Sequence, residues 1–116
     1  MQIKILYFSG CPNWETAVAR VRTLLAELGR ADVAVRVEDV HRMAHLPSEW
    51  AGSPTVLVDG RDPFAAADDR GRHPIPARDL CRVYVTEAGF GGAPTVDQLR
   101  TVLTLALDDD TTLRRS

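Results

Sequence analysis

Residues 3–14 read IKILYFSGCPNW, and within them the chain passes from one backbone period to another. Ile3, Lys4, Ile5, Leu6, Tyr7 and Phe8 form a short run rich in β-branched and aromatic side chains, which predicts a buried strand. Ser9-Gly10 closes it. From Trp14 onward the apolar residues recur at intervals of three and four: Trp14, Ala17, Val18, Val21, Leu24, Leu25, Leu28. That spacing lines one face of an α-helix. Gly29 follows, where a helix C-terminus favours a residue tolerant of positive φ. Val33, Val35 and Val37 then alternate with Ala34, Arg36 and Glu38, which is the period of a second strand. Strand, helix and strand make a βαβ unit, whose strands are parallel and whose crossover is right-handed.

Beyond this unit the pattern weakens and then recovers. A short helix is expected around His41–His45, stopped by Pro47. Thr55, Val56, Leu57 and Val58 predict a third strand, closed by the turn pair Asp59-Gly60. Arg82, Val83, Tyr84, Val85 and Thr86 predict a fourth, antiparallel to the third. Gly89, Gly91 and Gly92 mark a loop. Thr95-Val96-Asp97-Gln98 has the form of a capping box, with Thr at the N-cap and Gln three positions on. The helix it opens carries Val96, Leu99, Val102, Leu103 and Ala106 on one face. Residues 64–79 (FAAADDRGRHPIPARD) fit neither period and read as a loop inserted between strands three and four. Its arginines Arg70, Arg72 and Arg78 are expected to be solvated, with anion binding as the lesser reading. The expected whole is one α/β domain over residues 1–107, ordered β-α-β-α-β-β-α around a mixed four-stranded sheet, with a polar tail at 108–116.

Composition bounds the function. With 116 residues, 45% of them hydrophobic, the chain can bury a core without disulfide staples. The formal net charge is -2, so no global basic field recruits nucleic acid or a membrane. The N-terminus lacks the basic and apolar regions of a secretory signal, and no apolar run is long enough to span a bilayer. The expected compartment is therefore the cytoplasm, where Cys11 and Cys81 are thiols. Two cysteines cannot by themselves build a four-ligand zinc site.

The residues that point to chemistry gather at the first strand-to-helix junction. Pro12 suits the first helical position, which places Cys11 at the N-cap. There the free N–H groups and the positive end of the helix dipole would face its sulfur and favour the thiolate, the form that is nucleophile and soft-metal ligand. Cys11 is thus expected to alkylate more readily than Cys81; the alternative is a small buried residue at a helix start. Cys81 opens the fourth strand and is either a second reactive thiol or a structural one. His41 and His45 lie four apart, a spacing that can pair ligands, but no further donor completes a set. No cofactor and no resident metal is implied.

A second signal is Gly52-Ser53-Pro54-Thr55, directly before the third strand. With Gly-Cys-Pro-Asn-Trp at the first helix, it makes the chain over residues 2–107 resemble the thioredoxin-like family. The resemblance implies that the Ser53–Pro54 bond is cis and lies beside the reactive cysteine, with Pro12, Asn13, Ser53 and Pro54 lining the place where a substrate meets Cys11. Two departures stand out. The position of a second motif cysteine is Trp14, and that of the family's buried carboxylate is Ile5. In the family's topology Cys81 falls far from Cys11, so release of a Cys11 adduct is expected to need an external thiol. Small bacterial proteins with this motif include some associated with mercury handling. The implied function is thiol–disulfide or soft-electrophile chemistry at Cys11, with a protein or small-molecule thiol or disulfide as partner. The alternatives are a non-catalytic binding or metal-handling module and an alkylmercury lyase-like activity. Self-association as a homodimer stays open.

Overall fold

The computed structural model describes residues 1–65 and 78–115. The leading run forms strand β1 (Ile3–Tyr7), followed by helix α1 (Trp14–Glu27) and strand β2 (Val35–Asp39). β1 and β2 are parallel, with Ile3 opposite Val35 and Tyr7 opposite Asp39. Gly29 has φ +73°, and Arg30 N–H donates to Leu25 C=O (2.7 Å), closing the end of α1 as a positive-φ glycine allows. The expected helix at His41–His45 is instead a single 3-10 turn at Val40–Arg42. The Asp39 carboxylate accepts from His41 N–H (2.9 Å) and fixes its start. Strand β3 (Thr55–Val58) then returns antiparallel to β1, so the sheet order is β2-β1-β3.

The fourth strand departs from expectation. Strands β4 (Tyr84–Thr86) and β5 (Gly89–Gly91) form a separate antiparallel hairpin rather than joining the main sheet. The sheet is therefore mixed but three-stranded, and β4 does not pair antiparallel with β3. One isolated parallel bridge, Ser53 to Cys81, is what links the approach to β4 with the approach to β3. The reason lies in which face of 82–86 is buried. Arg82 and Tyr84 point inward, whereas Val83 and Val85 are exposed, the reverse of a choice made on hydrophobicity. Arg82 can turn inward because its guanidinium meets the Asp62 carboxylate at 2.7 Å, with both side chains only 2% exposed.

Helix α2 (Val96–Arg115) opens on the expected capping box. Gln98 N–H donates to Thr95 Oγ1 (3.1 Å), and Thr95 N–H donates to Gln98 Oε1 (3.0 Å). The segment expected as a tail from residue 108 continues in helical backbone to Arg115. Of the inserted segment, Arg70 and Arg72 lie outside the described residues. No helix among the described residues is long and apolar enough to cross a membrane.

The period of two along the strands divides the core. Ile3, Ile5, Val56 and Val58 face α1 and α2 and pack with Val21, Leu24, Leu99 and Leu103. Leu6, Phe8 and Leu57 face the other way, into a smaller cluster with Val40, Trp50 and Cys11. Each fully buried aliphatic side chain contributes about 1.5–3 kcal/mol of transfer free energy. The larger cluster holds the helices on the sheet, and the smaller one sets the depth of Cys11.

Candidate functional site

β1 ends at Tyr7, and Cys11 N–H turns back to donate to Phe8 C=O (3.1 Å). This turn drops Cys11 into the smaller cluster, where it is 1% exposed. Helix α1 starts later than the sequence suggests: its N-cap is Asn13 and its first residue Trp14. Cys11 is therefore not the N-cap, and the dipole argument for its activation loses its geometric basis. Pro12 is exposed beside it, and the Asn13 side chain packs against Gly92, where an added Cβ would lie 2.1 Å from Asn13 Nδ2. Trp14, in the place of a second motif cysteine, stacks on Tyr7 with ring centroids 4.1 Å apart.

Ser53 is the hub of the site. It is fully buried, and its peptide bond to Pro54 is cis. Its carbonyl accepts from the Cys11 thiol (Sγ to O 3.5 Å), and its hydroxyl oxygen accepts from Phe8 N–H (3.3 Å). The same peptide units grip the second cysteine from the other side. Ser53 N–H donates to Leu80 C=O (2.7 Å), and Arg82 N–H donates to Ser53 C=O (3.0 Å). Cys81 is thus clamped between two hydrogen bonds to the residue that holds the Cys11 thiol. The Tyr84 hydroxyl, donating to Pro54 C=O, fixes the next turn of the extended chain.

Upstream contacts aim the segment. Arg78 is not a solvated charge. Its guanidinium donates to the carbonyls of Val40, Met43 (2.9 Å) and Ala44 (3.1 Å). Asp79 pairs with the His41 ring, so His41 is engaged there rather than with His45. Among the described residues no group of three or more His, Cys, Asp or Glu side chains is disposed to hold a metal ion.

The outcome is that the structure brings Cys81 to Cys11, against the expectation from the family's topology. Both cysteines are free thiols, Cys11 buried and Cys81 exposed. The Cys81 thiol is pushed above its ordinary value, first by the burial it does have, then by the charge of Cys11 and by a side-chain hydrogen bond with Cys11. Of the two thiols Cys81 is the more accessible, while the readier alkylation expected of Cys11 rests on a helix N-terminus that begins two residues later, at Asn13. Arg78, Gly52 and Arg82 belong to the site as well, beyond the residues that the motifs point to. Gly52, at φ +106° and packed on the Arg82 backbone, was within reach as a glycine next to the Ser-Pro pair. No family model, curated protein or solved structure matches the chain, so the chemistry of the site follows from its own atoms.

Proposed function

We propose that this chain is a thioredoxin-like thiol protein that exchanges thiols and disulfides through Cys11 and Cys81. The architecture is supported by the parallel β1–β2 pair around α1, the antiparallel return of β3, and the seating of Cys11 on the Ser53 carbonyl before β3. The observation that carries the chemistry is the shared seat on Ser53. The Ser53 carbonyl accepts from both the Cys11 thiol and Arg82 N–H, and Ser53 N–H donates to Leu80 C=O, which holds Cys81 against the same spot. A second thiol three residues after the first, where Trp14 stands, is absent, and Cys81 supplies it from the far side of the chain instead. Release of an adduct then needs no external thiol.

The exchange balances with these two sulfurs alone. One thiolate attacks a substrate disulfide, forming a mixed disulfide and expelling one substrate thiol. The other thiol gives up its proton to the departing sulfur and attacks the mixed disulfide. An intrachain disulfide forms and the second substrate sulfur leaves as a thiolate. The substrate gains two electrons and the chain loses two.

The test is oxidation of the purified chain with glutathione disulfide, followed by mass analysis. The expected product is an intrachain Cys11–Cys81 disulfide, lighter by two hydrogen atoms, with each single Cys→Ser variant keeping a glutathione adduct instead. Glutathione adducts on the wild-type chain without the intrachain bond would leave the binding-module reading in place. A second reading, capture of a soft cation, has one observation in its favour. Both cysteines are seated on Ser53, and among the described residues no further His, Cys, Asp or Glu completes a set, so such a cation would take its protein ligands from two sulfurs.

A further inference from the structure

Four exposed side chains form one ribbon on the surface beside the thiol pair. Along the extended chain from 81, alternate residues point the same way. Arg82 and Tyr84 are buried, so Cys81, Val83 and Val85 share the outward face. Phe90 is directly opposite Val85 in the β4–β5 register, and paired residues of antiparallel strands project to the same side. Val83, Val85 and Phe90 are 58%, 51% and 83% exposed. The stretch from Cys81 to Val85 is about 13 Å at the rise of extended chain. No side chain of the ribbon is charged, and the one guanidinium within this segment, Arg82, is turned inward onto Asp62.

From this arrangement we infer that Cys81 is the thiol that meets the substrate, that Cys11 resolves the adduct from below, and that the substrate is a polypeptide cysteine flanked by apolar side chains. This rests on the dithiol reading above and names its substrate class. The occupant follows from where the ribbon begins and from its lack of charge. It starts at the accessible sulfur, so whatever covers Val83, Val85 and Phe90 presents a sulfur at one end. A small charged thiol compound finds no complementary charge on it, whereas an extended apolar segment does find apolar surface to cover. The order of the thiols follows from access: at 1% exposure, Cys11 meets a disulfide carried by another chain far more slowly than exposed Cys81 does.

Cys81 thiolate attacks the substrate disulfide; the Cys81–substrate S–S bond forms as the substrate bond breaks, and one substrate thiolate leaves. Cys11 passes its proton to that leaving sulfur and attacks Cys81 Sγ. The Cys11–Cys81 bond forms and the second substrate sulfur leaves as a thiolate, so two electrons pass to the substrate.

The experiment compares two oxidants of the full chain: glutathione disulfide, and a symmetric peptide disulfide whose cysteine is flanked by valine and phenylalanine. The peptide is expected to oxidise the chain about tenfold faster, the scale of burying part of one large apolar side chain. The double substitution Val85→Ser, Phe90→Ser should bring the ratio close to one. Leu105→Ser, which removes an exposed apolar side chain on α2, should leave the ratio as it is. Cys11→Ser should trap the peptide on Cys81, and Cys81→Ser should trap it on Cys11 far more slowly. Equal trapping rates, or a ratio unmoved by the double substitution, overturn the inference. So does a double variant that changes only the oligomeric mass, which would assign the ribbon to contacts between copies of this chain. If neither oxidant yields an intrachain disulfide, the dithiol reading itself has failed.

Discussion

At Gly52 the backbone has φ +106°, and an added Cβ would lie 2.9 Å from the Arg82 backbone nitrogen. Both the torsion and the close approach require glycine there. Gly52→Ala is expected to cost about 1–3 kcal/mol of stability and to push the 81–82 segment off Ser53. Denaturant unfolding measures the first effect, and a slower appearance of the intrachain disulfide measures the second. The neighbouring sulfurs make a prediction about pH. Cys81 is held above its ordinary value by burial first and by Cys11 second. Cys11→Ala removes the Cys11 causes and leaves burial, so the Cys81 pKa should fall part of the way back. A lower pKa means more thiolate at a given pH. Iodoacetamide should therefore label Cys81 faster in this variant near neutrality, with the rate profile displaced toward lower pH. An unmoved profile would show that the two sulfurs do not interact.

Among the elements, those legible in the sequence are the ones whose signals are local. β1, α1 and β2 follow from periods of two and of three to four, and β3 falls on the four residues expected. The capping box at Thr95 and Gln98 is read from spacing alone, and both of its hydrogen bonds form. Thr95→Ala should lower stability by about 1 kcal/mol, read as a lower denaturation midpoint at constant slope. What was not legible depends on partners remote in sequence. Val83 and Val85 look like inward residues until Asp62 is known to receive Arg82, which turns the strand over and takes it out of the sheet. The start of α1 moved from Cys11 to Asn13 because Cys11 N–H is held by the turn from Phe8. Arg78 reads as a surface charge in the sequence because nothing in its own neighbourhood announces the carbonyls of Val40, Met43 and Ala44. Cys11 itself was legible as a site residue, but the arrival of Cys81 depends on Ser53 and on those same distant carbonyls.

On the scale of the whole molecule, the sheet separates two apolar layers, and the thiols lie at the edge of the thinner one. α1 and α2 cover one side, while Leu6, Phe8, Val40, Trp50 and Leu57 close the other around Cys11. The backbone between the two cysteines includes β2, the 3-10 turn and β3, so most of the sheet lies inside the span that they delimit. A covalent link between them would tether that span in the unfolded chain as well as in the folded one. For a loop of about 70 residues, the chain-entropy relation gives a penalty on the unfolded ensemble of roughly 4 kcal/mol. The oxidised protein should therefore melt at a higher temperature than the reduced one, a difference that calorimetry with and without a reductant would register. Thermal endurance and electron content then become linked quantities, and reducing the chain loosens the same sheet that positions its sulfurs.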